Sequence, residues 1–188
     1  HLMTDDPLEL PLNKPLGPSF LTEVRFDSFD LPEDVKNGIR DTGYTCCTPI
    51  QAEVLPLSLA GRDVAGQAQT GTGKTAAFLV TIFSRLQETA GKDLHQPAAM
   101  IVAPTRELAI QIFEEAKMIG RHTGFRIAQV VGGIDYKKQA EILQEGSDII
   151  ICTPGRIIDY MKQKVFDPKG IRILVIDEAD RLFDLGFT

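Results

Sequence analysis

At 188 residues, 43% apolar and 24% charged, the chain has the size and composition of one globular domain with room for a full core. Three cysteines, two of them adjacent (Cys46, Cys47), are too few and too badly spaced for a disulfide framework or a structural zinc site, and no apolar run approaches the ~20 residues of a membrane span. The net charge of −6 resides in residues 1–34, so any nucleic-acid contact in the neutral remainder must come from a local site rather than from a basic field.

The cysteines read as free thiols in a reducing cytoplasm. His1 and Leu2 read as vector remnants ahead of a native Met3. Residues 1–25 form an acidic leader rich in Pro and Leu, without lasting periodicity, and residues 26–188 form the domain. Two helices open the domain, at 32–42 and 49–60, the second with Thr48 as cap and Pro49 at its first position. Strands then alternate with helices. The strands are expected at 63–67, 98–103, 126–131, 148–152 and 171–177, and the helices at 74–87, 105–120, 136–144 and 155–162. This alternation specifies an α/β fold: a central parallel β-sheet with helices on both faces and right-handed crossovers.

Two strings carry chemistry. Ala68-Gln69-Thr70-Gly71-Thr72-Gly73-Lys74-Thr75 lies between an expected strand and an expected helix, as a phosphate-binding loop requires. Its glycines let backbone N–H groups converge on phosphate oxygens, Lys74 adds a cation, and Thr75 offers a hydroxyl to Mg2+. Ala68 stands where the strict pattern has Gly. About a hundred residues later, Asp177-Glu178-Ala179-Asp180 follows the apolar run 171–176. Asp177 suits a metal-bound role and Glu178 a general base acting on water. Together the strings read as nucleoside triphosphate hydrolysis, with Glu178, Lys74 and Asp177 as the catalytic set.

The spelling of that tetrad, with the phosphate loop and the motifs below in order, resembles the DEAD-box ATP-dependent RNA helicases, specifically the first of their two RecA-like domains. The wording of residues 63–75 resembles the bacterial RhlB-type branch. The likeness runs from Phe26 to Gly186. It implies a RecA-like P-loop NTPase domain that uses ATP and Mg2+ to drive local RNA unwinding or remodelling of RNA–protein assemblies in the cytoplasm. Gly43-Tyr44-Thr45-Cys46-Cys47-Thr48-Pro49-Ile50-Gln51 resembles the family's glutamine motif, with Cys47 at a usual proline. Gln51 offers the donor and acceptor that match the adenine edge, and Phe26, seventeen residues before Gly43, takes the place of an aromatic that stacks on the base.

The segments Pro104-Thr105-Arg106, Gly132-Gly133 and Thr153-Pro154-Gly155-Arg156 each follow an expected strand. In the family these places contact RNA. Neutral donors at helix starts and two arginines suit a sugar–phosphate backbone and read no base edge, so binding is expected to be sequence-independent. The resemblance also implies that Asp180 couples hydrolysis to unwinding through a Ser-Ala-Thr motif, which this sequence lacks, as it lacks the second RecA-like domain. The rival readings are another P-loop ATPase motor and a non-catalytic nucleotide- or partner-binding module. Gln51 and the Ala-Asp ending of the tetrad speak against the first.

Overall fold

A computed structural model describes residues 20–68, 71, 73–89 and 96–186. Its centre is a sheet of four parallel strands, β1 (Ala99–Val102), β2 (Ile127–Val130), β3 (Ile149–Cys152) and β4 (Ile173–Ile176), in the order β2-β3-β1-β4. The helices are α1 (Glu33–Thr42), α2 (Pro49–Leu59), α3 (Lys74–Glu88), α4 (Arg106–Ile119), α5 (Tyr136–Gln144), α6 (Pro154–Lys162) and α7 (Ala179–Asp184). The strands explain the architecture. Four consecutive apolar residues in β3 alternate between two cores: Ile149 and Ile151 pack with α1, α3 and α4 on one face, while Ile150 and Cys152 pack with α5 and α6 on the other.

The first core is the larger, built on Leu79, Ile82, Phe83 and Leu86 of α3 and Ile112, Ala116 and Ile119 of α4. The second is closed by Leu143, Ile157, Tyr160 and Phe166. Burial pushes the Cys47 thiol up to about 11 and the Cys152 thiol up to about 12, so both stay protonated. Among the described residues all three cysteines are free.

Three features depart from the expected pattern. Residues 63–67, expected as a strand, run exposed and unpaired. Only Val64 and Ala65 of Asp63-Val64-Ala65-Gly66-Gln67 are apolar, and Gly66 weakens strand pairing, so the segment has little to hold it without a partner edge. The short α7 and two 3-10 turns, Phe26–Ser28 and Pro168–Gly170, have no periodic signature and were not expected. The part of the leader that is described is tied down. Thr22 N–H donates to the Cys47 carbonyl at 2.8 Å, and Cys47 N–H donates to the Val24 carbonyl at 2.7 Å, so the segment runs antiparallel to the glutamine motif.

β4 is an edge strand. It pairs with β1, and its other side has no partner among the described residues. Leu174 and Ile176 are 54% and 53% exposed there.

Candidate nucleotide and RNA site

Because the sheet is parallel, every strand ends at the same edge, and the segments that follow β1 to β4 lie on it. Along that edge the order is Gly132-Gly133 after β2, Thr153–Arg156 after β3, Pro104–Arg106 after β1 and Asp177-Glu178 after β4.

The phosphate loop reaches α3 through two left-handed glycines, Gly71 (φ 82°) and Gly73 (φ 85°), the second serving as N-cap of α3. Lys74 and Thr75 then open the helix, half-buried, at the positive end of its dipole. Gln69, Thr70 and Thr72, also expected in this loop, lie outside the described residues.

Lys74 Nζ stands 4.0 Å from Asp177 Oδ1, which joins the loop to the end of β4. Asp177 is 8% exposed. Burial raises its carboxyl above the usual range; the Lys74 charge and the Glu178 N–H, which donates to Oδ1 at 3.0 Å, act against that rise, and the Glu178 charge adds to it. Glu178 occupies a left-handed backbone conformation (φ 48°, ψ 52°) at the N-cap of α7, a strained place for a side chain with a Cβ. Its carboxylate is held 3.6 Å from Arg181. Asp180, in the first turn of α7, is exposed.

Gln51 is 4% exposed and tied at both ends of its amide. Its Oε1 accepts the Thr48 N–H at 2.8 Å, as half of a capping box that starts α2, and its Nε2 donates to the Gly73 carbonyl at 3.0 Å. The glutamine therefore pins the end of the phosphate loop to the start of α2. The spacing Thr48-x-x-Gln51 signals the first of these bonds and carries no mark of the second.

Phe26 is 3% exposed, a member of the larger core, with its ring stacked on Tyr44 at 6.3 Å. Tyr44 in turn points its hydroxyl at Glu115 of α4, 3.4 Å away. Burial, and secondarily Glu115, lifts the Tyr44 hydroxyl to about 12. Burial lifts the Glu115 carboxyl to about 7, with the Tyr44 hydrogen bond acting in the opposite direction. Nothing in the sequence marked Glu115, since a lone acid on a helix usually faces water.

At the opposite end of the edge, Pro104 is buried and the Thr105 hydroxyl accepts the Leu108 N–H at 3.3 Å, capping α4. Arg106 lies against the Gly132-Gly133 turn so closely that a Cβ on Gly133 (φ 75°) would meet its guanidinium. Gly132 and Gly155 face open space. Thr153 caps α6 with an extended backbone and no side-chain cap bond, Pro154 is buried beneath it, and Arg156 is half-buried.

A further residue belongs to this group. The buried Gln139 brackets Val131, donating Nε2 to its carbonyl at 3.0 Å and accepting its N–H at 3.1 Å. It thereby fixes the chain entering Gly132-Gly133. A glutamine one turn before Leu143, on the inward face of α5, was its sequence signal.

Residues 48–188 match the family model described as DEAD/DEAH box helicase. An ATP-dependent RNA helicase RhlB of Xanthomonas oryzae pv. oryzae is 56% identical over 171 residues, which is 89% of this chain and 30% of that protein. One of the same name from Shewanella woodyi is 49% identical over 175 residues, 92% of this chain and 40% of that protein. A DEAD box protein from Methanococcus jannaschii superposes with a TM-score of 0.79 at 32% identity, covering 87% of this chain and 44% of that one. A hypothetical ATP-dependent RNA helicase from Sulfolobus tokodaii does so with a TM-score of 0.75 at 36% identity, over 84% and 44%. The chain thus spans less than half the length of each of these relatives. With the motif model covering most of its residues and both likenesses agreeing, the chain belongs to the DEAD/DEAH box helicase family.

Proposed function

We propose that this chain is the first RecA-like domain of a cytoplasmic ATP-dependent RNA helicase, acting with a second such domain to couple ATP hydrolysis to local RNA unwinding or remodelling. The observation that carries the reading is the approach of Lys74 to Asp177 across the sheet edge, with Glu178 beside them on a strained backbone.

The amides of 71–73 and the Lys74 ammonium hold the β- and γ-phosphates. A carboxylate and a hydroxyl, Asp177 and Thr75, form the sparse oxygen set that Mg2+ accepts when substrate phosphates complete its shell. That ion, when bound, neutralises phosphate charge and polarises the phosphoryl group. Glu178, next to Asp177 at the end of β4, orients the attacking water and takes its proton. Gln51 has one N–H and one lone pair left beyond its two hydrogen bonds, the complement of an adenine edge. Stacking by Phe26 rests on the family resemblance.

RNA lies along Pro104–Arg106, Gly132-Gly133 and Thr153–Arg156, bound by its backbone and without base readout. Asp180 passes the hydrolytic state to the unwinding segment. The test is ATP hydrolysis by the protein that carries this chain with its second RecA-like domain. Hydrolysis stimulated by single-stranded RNA is expected; turnover indifferent to RNA overturns the reading.

A further inference from the structure

The N-terminal ends of α5 and α6 meet in a cluster that the motifs do not account for. Tyr136 opens α5 three residues after Gly133, and its carbonyl accepts the Tyr160 hydroxyl at 2.7 Å. The two rings lie 4.7 Å apart, tilted by 58°. Tyr160 is fully buried and sits one turn along α6 from Arg156. The Arg156 guanidinium lies over both rings, 5.2 Å from the Tyr136 centroid and 5.8 Å from that of Tyr160, and Nη1 donates to the Ile134 carbonyl at 3.3 Å.

An arginine held against ring faces keeps its remaining N–H donors in the guanidinium plane, available to an acceptor. It has also already given up the rotamer freedom that a free arginine loses on meeting a phosphate. Tyr136 belongs to the segment after β2 and Arg156 to the segment after β3, so the contact fastens one candidate RNA segment to the next.

We propose that Tyr136 is a positioning residue for RNA: its ring holds the Arg156 guanidinium toward a backbone phosphate and locks the Gly132-Gly133 turn to the Thr153–Arg156 turn. The inference rests on the reading of these segments as the RNA site. Its distinct content is that an aromatic face, rather than the arginine alone, sets the strength of that phosphate contact.

The experiment is fluorescence anisotropy of a labelled single-stranded oligouridylate titrated with the protein that carries this chain and its second RecA-like domain over a series of salt concentrations, alongside thermal melting. Tyr136→Leu keeps apolar bulk and removes the π face. It is expected to weaken RNA binding about two- to fivefold, the size of a cation–π contact at an exposed site. It should also lower the salt dependence by up to ~0.7 in slope, one single-strand phosphate contact. Tyr136→Phe, which gives up only the hydroxyl beside Asp159, should bind like the unsubstituted chain. Tyr136→Leu in an Arg156→Ala background should change nothing further.

A Tyr136→Leu variant that melts earlier yet keeps affinity and salt slope overturns the proposal. So does a Phe variant as weak as the Leu variant. An unsubstituted two-domain protein that binds no RNA overturns the RNA reading itself, and the proposal with it.

Discussion

Replacing Gly73 by alanine offers the sharpest test of how the phosphate loop is built, because Gly71 provides its control. Both glycines are left-handed, at φ 85° and 82°. A Cβ in that conformation costs about 1–2 kcal/mol. At Gly71 the cost ends there, since a Cβ would meet nothing within 4 Å among the described residues. At Gly73 the Cβ would land on Gln51 Nε2 and come within 3.3 Å of Thr48 Oγ1. The buried Gln51 amide would have to leave the Gly73 carbonyl, and a stranded buried polar group costs about 1–3 kcal/mol.

Gly73→Ala should therefore destabilise by about 1–3 kcal/mol more than Gly71→Ala, read as the difference in urea unfolding free energy. A double-mutant cycle isolates the cause: in a Gln51→Ala background, Gly73→Ala should fall to the cost of Gly71→Ala alone. Equal costs for the two glycines, or a Gly73→Ala penalty that survives Gln51→Ala undiminished, would refute the claim that Gln51 fastens this loop.

Glu178→Gln should slow ATP hydrolysis by about two to four orders of magnitude while ATP binding persists, so the complex with ATP and RNA should be long-lived; near-normal hydrolysis would place the base elsewhere. If Gln51 meets the adenine edge, the two-domain protein should hydrolyse ATP in preference to GTP, and equal use of both nucleotides removes that role from it. Glu115 gives a stability test. Its carboxyl rises from an ordinary 4.5 to about 7, so the folded state holds the proton more tightly than the unfolded chain. Its stabilising contribution is complete below 4.5 and is lost as pH climbs through 7, by at most about 3 kcal/mol. Denaturant midpoints at pH 5 and pH 8 should differ by less in Glu115→Gln than in the unsubstituted chain; an unchanged difference means that other groups control it.

The strands that enter the sheet were readable because each is rich in consecutive apolar residues, most fully Ile149–Cys152, which is buried on both faces. Residues 63–67 misled because a strand depends on its neighbour as much as on its own residues, and here none lies alongside. Loops bearing glycine, lysine and carboxylates at fixed spacing stood out in the sequence, and the packing of α3 against the sheet sets Lys74 4.0 Å from Asp177. Second tasks were harder to read. Gln51 as a strut, Gln139 as a bracket around Val131 and Glu115 under Tyr44 all depend on partners from 3 to 71 residues away. Local pattern reaches the first of these distances and not the last.

The side of β4 that has no partner among the described residues bears on self-association of the chain. Its outward N–H and C=O groups form a ready template, and Leu174 and Ile176 give that margin an apolar surface. Two copies joining there would satisfy the backbone groups and dehydrate both side chains in one step, an attraction that mass action strengthens as the solution is concentrated. The charge of −6 opposes the encounter weakly, because it is concentrated in residues 1–34 and is screened within about 8 Å at physiological salt. Leu174→Lys is therefore expected to weaken self-association along this margin.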